Sequence, residues 1–378
     1  MTKYKSQGDK TRQSSKKTIR FGLIGTGMMA QEHIRNLKLI PNVEITSIMD
    51  PVDTSLDWAK QSLGDQSQKV TVHHNLDTMI DQASSDLDAV IIASPNHTHH
   101  DILLPLLKTD LHILCEKPLC TTILDAKDIV ERVKNRKAVF WVGMEYRYML
   151  PVAEFIDDIR KKKIGRLTRL SIIEHRFPFL KKVGDWNRFN RNSGGTMVEK
   201  CCHFFDLMRY ITQSEPVRVF CSGGVDVNHL DERYNGEIPD IIDNSYSVVD
   251  FDNGIRVMLD LCMFAEGSEE QEELIAIGDK AKLSVTIPSG VKTLSHRVPV
   301  DAPKRIERQH VSVDADVLAA GSHHGATYYQ LDSFIKAIRK EGTTEVTAED
   351  GLKAIAMGVA AEISAREKRV VTIKEVFA

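Results

Sequence analysis

The segment spanning residues 21–30 restricts the possible folds of this chain more than any other. An apolar run, residues 21–24, leads directly into Gly25-Thr26-Gly27-Met28-Met29-Ala30, which opens a helix. Strand, glycine turn and helix in succession fit the Gly-x-Gly-x-x-Gly/Ala fingerprint of a dinucleotide-binding βαβ unit. Gly25 would permit the tight turn, Gly27 would let backbone approach a pyrophosphate, and Ala30 is small enough for close helix–strand packing. The helix N-terminus would face the phosphates with its partial positive charge. Thr26, Met28 and Met29 belong to the same cofactor-facing turn. Asp50 ends the next strand, 25 residues after Gly25. A carboxylate there can accept a hydrogen bond from a ribose 2′-hydroxyl and would repel a 2′-phosphate. No arginine follows closely, so NAD is favoured over NADP.

The surrounding pattern agrees. Apolar runs at residues 21–24, 43–49, 70–72, 89–93, 112–115 and 139–142 alternate with amphipathic stretches such as 124–133. Short buried strands between helices predict a doubly wound parallel sheet over residues 19–145. Past Tyr146 the strand-like runs lengthen and alternate: 167–173, 217–221, 245–251, 255–261, 274–277 and 283–287. Asn253-Gly254 between two of them is a hairpin signal, because both turn residues must take positive φ. Gly278-Asp279-Lys280 reads as a second turn. Residues 146–378 are therefore expected to form an α+β domain with a mainly antiparallel sheet, one face carrying a few helices. Two of these come late. One carries Tyr328, Leu331, Phe334, Ile335 and Ile338, with Gly342 as a stop. The other starts at a cap, Thr347 to Asp350, and runs through Leu352, Ile355, Val359 and Ile363.

The 378 residues exceed one ordinary core, so two domains are expected. A net charge of -3 gives no global attraction to nucleic acid or acidic membranes. The one basic block, in residues 1–18, is polar and reads as a disordered tail. It has neither the apolar core of a signal peptide nor the pattern of a transit peptide. No apolar run approaches the roughly 18 residues of a membrane span. The six cysteines form no CxxC pair and read as free thiols, consistent with a cytoplasmic protein.

Candidate chemistry sits in three places. Ser94-Pro95-Asn96-His97 follows the fourth strand and Glu116-Lys117-Pro118 the fifth, at the strand ends where open α/β sheets bind ligands. Ser94, Pro95, Asn96, His97, Glu116 and Lys117 are assigned to the cofactor side. The Lys117 ammonium could also hydrogen-bond a substrate oxygen and stabilise a developing alkoxide; read alone, it is a surface lysine. The third place runs from Gly194-Gly195 to His203 and Asp206. Met197, Cys201, Phe204, Met208 and Ile211 make an apolar stripe at helical spacing. Glu199 and His203, four apart, are expected on one face. Histidine titrates near neutrality and suits general-base work, with Glu199 orienting it or relaying its proton. A buried His–Glu pair is the purely structural reading, and Asp206 reads as helix-stabilising. Adjacent Cys201 and Cys202 point about 100° apart on a helix, which disfavours a metal site with His203 and Glu199; no metal is expected. His73-His74 and the 97–100 run read as surface or phosphate-side residues.

On these elements the chain resembles the Gfo/Idh/MocA family over about residues 19–375. The carriers are the glycine fingerprint, Ser94-Pro95-Asn96-His97 with His100, Glu116-Lys117-Pro118, Gly194-Gly195 leading to His203, and the late stretch 348–365. The resemblance implies a Rossmann domain followed by an open-faced antiparallel sheet, with the active site between them. It implies Lys117 and His203 as catalytic residues. The family commonly has aspartate where this chain has Glu199, and glycine where it has Cys201. Arg147, Trp186, Arg188 and Asn192 fall in segments resembling substrate-side loops, with His203 also substrate-facing. A homodimer or homotetramer is implied. The expected activity is NAD-dependent oxidation of a secondary hydroxyl of a cyclic polyol, sugar or sugar derivative. The alternatives are a non-catalytic NAD(P)-binding regulator and an NAD-assisted glycoside-cleaving enzyme. Retention of both Lys117 and His203 argues against the regulator.

Overall fold

The computed structural model describes residues 17–378; nearly all of the basic tail lies outside the described residues. Six parallel strands, β1 (Ile19–Ile24), β2 (Val43–Met49), β3 (Thr71–His73), β4 (Ala89–Ile92), β5 (His112–Glu116) and β6 (Phe140–Gly143), form one sheet in the order β3-β2-β1-β4-β5-β6. Phe21, Leu23, Ile24, Val90, Ile91, Ile113 and Leu114 are buried, as strands covered on both faces require. The strand order reverses between β1 and β4, and that switch point is where such sheets open a ligand crevice.

The second sheet has nine strands: β7 (Leu167–His175), β8 (Pro216–Gly224), β9 (Asn244–Phe251), β10 (Arg256–Cys262), β11 (Glu272–Gly278), β12 (Ala281–Ile287), β13 (Val291–His296), β14 (Ile306–His310) and β15 (Val371–Thr372). Their order is β14-β13-β12-β11-β7-β10-β9-β8-β15. Only β7 and β10 run parallel; the remaining pairs are antiparallel. The Asn253-Gly254 turn joins β9 to β10, but only Gly254 takes positive φ, at 80°, which corrects the expectation of two such residues. One face is buried through Val219, Val249, Val257, Leu259, Leu274 and Leu283. The other leaves Phe220, Tyr246 and Val248 exposed, with Phe220 directly opposite Val248.

The helix Ala348–Glu367 begins with the expected capping box, Thr347 and Asp350 bonding each other's backbone amides. It packs on β8 and on the helices Cys202–Thr212 and Ile123–Val133, so it bridges both sheets. The helix Ala326–Ile338 differs from expectation. It packs on the helix Met28–Leu37 of the parallel-sheet half, and Phe334 meets Phe21 and Trp141 with ring centroids 6.2 and 6.0 Å apart. Its apolar stripe finds aromatic cover there rather than on the antiparallel sheet. Among the described residues no helix is long and apolar enough to cross a membrane.

Candidate active site

The turn after β1 is shaped by its glycines. Gly25 sits at φ 80°, and a Cβ there would lie 2.5 Å from Ser94 backbone after β4, so only glycine lets the two strand ends meet. A Cβ on Gly27 would meet nothing within 4 Å, which leaves open space against the backbone. The helix that starts at Met28 has no side-chain cap and no acid in its first turn. Uncapped amides beside open space fit a pyrophosphate. Asp50 is buried. Its Oδ2 accepts from the Thr26 amide (2.8 Å) and hydroxyl (3.2 Å), and its Oδ1 from the Val52 amide (2.9 Å). It braces the glycine turn. A carboxylate has about four acceptor positions, so one remains for a ribose hydroxyl.

The loops after β4 and β5 are fastened together. His99, fully buried, has its ring nitrogens 2.9 Å from the Pro118 carbonyl and 3.1 Å from that of Ser94. The surface reading of His99, and of buried His73, is therefore corrected. Ser94 accepts from the Thr98 hydroxyl, and Asn96 is buried and donates to the Ser193 carbonyl (3.4 Å). Glu116 does not face outward: it is buried 2.8 Å from His33 Nε2 and accepts from the Lys117 amide. Burial pushes its carboxyl up, but the His33 hydrogen bond and charge, with Lys117, hold it below the usual range. Glu116 thus holds the Lys117 backbone amide.

Lys117 reaches the second half of the chain, where Nζ donates to the Glu199 carbonyl at 3.1 Å. The expected continuous helix is broken here into Thr196–Glu199 and Cys202–Thr212, with Cys201 N bonding Thr196 O at 3.2 Å. The apolar stripe survives the break, but Glu199 and His203 are not hydrogen-bonded to each other. Instead Glu199 Oε1 lies 2.9 Å from Lys182 Nζ, while its Oε2 is buried without a partner. His203 is buried and its Nδ1 also has no partner. Burial, then the positive charges of Lys117, Lys200, His323 and Arg176, push His203 well below its ordinary value. That direction favours the neutral imidazole, whose lone pair can accept a proton but holds it weakly. Cys201 and Cys202 turn away, toward Met197 Sδ (3.8 Å) and the Glu199 carbonyl (3.5 Å).

The substrate-side residues separate into two groups. Trp186 approaches His97, with ring centroids 6.1 Å apart, and carries Lys182 Nζ 4.4 Å above its face. It thus spans the β4 loop and the Glu199 region. Asn192 is half-buried beside the Gly194-Gly195 turn. Arg147 is a correction. Arg147 is buried, forked onto Asp206 and donating to the Glu345 carbonyl. Asp206, read from sequence as helix-stabilising, is accordingly half of a buried ion pair. Arg188 is buried with its Nε 2.8 Å from Glu232, while its Nη1 is buried without a partner. A guanidinium needs carboxylates when it leaves water, and these two find them inside the protein.

Several groups around this site escaped the sequence reading. Tyr146 stacks on His203, Lys200 joins Tyr146 to Glu174, and His323 lies 2.9 Å from Glu32. The Glu32, Glu145 and His323 atoms lie within 4.8 Å of one another, with the Thr327 hydroxyl between the carboxylates. None forms a local spacing pattern. The pairs are 26 residues or more apart, and Lys200 had only its adjacency to Glu199 to mark it.

Residues 19–144 match the model described as the oxidoreductase family's NAD-binding Rossmann fold, and residues 156–373 match its C-terminal alpha/beta domain, of the GFO_IDH_MocA family. The myo-inositol 2-dehydrogenase of Thermotoga maritima is 25% identical over 361 residues, 95% of this chain and 100% of that protein. The scyllo-inositol 2-dehydrogenase (NAD(+)) of Bacillus subtilis is 24% identical over 92% of this chain and 94% of its own length. A levoglucosan dehydrogenase solved with NADH shares the fold with a TM-score of 0.81, at 18% identity over 94% of this chain and 99% of that one. Family models that together span nearly the whole chain, over a glycine cradle that fits a pyrophosphate, establish that this chain belongs to the Gfo/Idh/MocA family and is an NAD-dependent oxidoreductase.

Proposed function

We propose that this enzyme oxidises a secondary hydroxyl of a cyclic polyol, sugar or sugar derivative, with His203 as general base and Lys117 polarising the reacting oxygen. The observation that carries the reading is the meeting of Lys117, from the end of β5, with the Glu199–His203 turn, through the 3.1 Å bond to the Glu199 carbonyl. NAD, when bound, supplies the hydride acceptor. Gly25, Thr26, Gly27, Met28, Met29 and Asp50 would hold it, with Ser94, Pro95 and His97 flanking the crevice. The substrate O–H proton passes to neutral His203, and the Lys117 ammonium stabilises the oxygen as its negative charge grows. Glu199 Oε2, buried and unpartnered, supports a hydroxyl-rich ligand, because a hydroxyl supplies the missing donor. Glu199 then holds substrate beside Lys182, with Trp186 and Asn192 along the same wall, and does not relay the His203 proton. The names of the relatives, inositol and levoglucosan dehydrogenases, support the substrate class. A cytoplasmic setting is proposed with the free cysteines in mind. The exposed Phe220, Tyr246 and Val248 row supports a homodimer or homotetramer, testable by light scattering. A panel of inositols, aldoses and glycosides, read by NADH absorbance with NAD and with NADP, tests the activity. Glycoside loss without NADH accumulation would replace it with cofactor-recycling cleavage.

A further inference from the structure

A catalytic histidine is ordinarily oriented by a hydrogen bond on the ring nitrogen that does no chemistry. His203 lacks one: Nδ1 is buried without a partner, and the nearby carboxylate of Glu199 is engaged by Lys182. What His203 has is a face. The Tyr146 ring lies parallel beneath it, with centroids 4.1 Å apart and planes 11° apart. Tyr146 is itself fixed on two sides. Phe204 meets its ring at 5.6 Å and 72°, and Lys200 Nζ donates to its hydroxyl oxygen at 2.5 Å. Lys200 is in turn held 2.8 Å from Glu174 Oε1, with side-chain exposures of 5% and 0%. The five groups come from four places: the turn after β6, the break between the two short helices, β7, and the first turn of Cys202–Thr212, which carries both His203 and Phe204.

Resting on the reading of His203 as general base, we propose that Tyr146 is a positioning residue that orients the His203 imidazole by ring stacking, with Lys200 and Glu174 locking the phenol in place. The ion pair holds the ring in place, and the Lys200 charge also bears on the His203 imidazole directly. A displaced base loses rate steeply, since errors near 1 Å cost on the order of 10²-fold.

The test compares Tyr146→Leu with Tyr146→Phe in the full-length enzyme. Tyr146→Leu removes the ring, and kcat is expected to fall ~10²-fold with KM little changed. Tyr146→Phe keeps the ring and is expected to restore most of kcat. Glu174→Gln with Lys200→Met releases the hydroxyl and removes both charges of the pair, although Arg176 also loses Glu174 at 3.4 Å; its loss should fall between the two. Histidine-selective NMR gives a readout independent of turnover: the ring-current shift of the His203 carbon-bound protons disappears in Tyr146→Leu and persists in Tyr146→Phe. Wild-type kcat in Tyr146→Leu, or equal losses in the Leu and Phe variants, would overturn the proposal. So would a His203 ring-current shift that survives loss of the ring. Absence of any NAD reduction by the wild type would sink the reading of His203 instead, leaving the NMR arm to decide the stacking.

Discussion

Lys182 Nζ lies 2.9 Å from Glu199 Oε1, so the carboxylate four residues before His203 is already paired with a cation from another loop. The substitution of glutamate for the family's usual aspartate is thereby given a physical setting. The longer side chain meets a lysine that also rests on Trp186. Lys182→Met should raise KM for the polyol ~10-fold or more, given ~1.5–3 kcal/mol for a charge-assisted hydrogen bond. NAD affinity should not change. Steady-state kinetics against both substrates checks this, and an unchanged polyol KM would remove Lys182 from the site.

Arg147 gives the opposite expectation. Its guanidinium is forked onto Asp206 inside the protein and stacks on Tyr210 with a 4.2 Å separation. Removing one partner strands the other charge, at a cost of about 3–5 kcal/mol. Arg147→Ala should therefore lower the denaturant midpoint sharply. Any surviving folded enzyme should keep its substrate KM.

The two glycines of the turn are separable. Gly27→Ala meets open space, so its melting temperature should stay near that of the wild type while NAD binding weakens. Gly25→Ala forces a Cβ onto Ser94 backbone at positive φ and should destabilise the apo protein itself. Thermal melts with and without NAD distinguish them. Equal melts for the two variants would contradict the account of the turn.

Much of this was legible in the sequence because it is local. The fingerprint, the alternating runs, the Asn253-Gly254 hairpin and the Thr347 cap are each set by residues within a few positions of one another. The site was legible only as residue types at strand and helix ends: Lys117 and His203 are brought to one turn, but Arg147 and Arg188 looked identical in sequence to free cations. Their partners, Asp206 and Glu232, are 59 and 44 residues away. The same distance hid Tyr146 under His203. The break at Lys200–Cys201 hid the separation of Glu199 from His203, because the apolar stripe continues through it.

The loop before Ala326–Ile338 should loosen in alkali. Burial lowers His323, but the Glu145 and Glu32 charges outweigh it and lift the imidazole to about 9; burial raises Glu32, and His323, Thr327 and Ser322 bring it down to about 2. The His323 contribution is complete below its ordinary value of 6.5 and is lost as pH rises through about 9. The Glu32 contribution is present above 4.5 and is lost as pH falls through about 2. Melting temperature should therefore decline between pH 7 and 10, and His323→Gln should flatten that decline.

Lys117 and His203 are proposed to make this dinucleotide fold a dehydrogenase of polyols or sugars. The most direct test is NADH formation by the wild type and by His203→Ala over a panel of inositols and sugars, with NAD binding measured in parallel by titration. General-base loss predicts turnover reduced ~10²–10⁴-fold with NAD affinity unchanged. Full turnover in His203→Ala would contradict it.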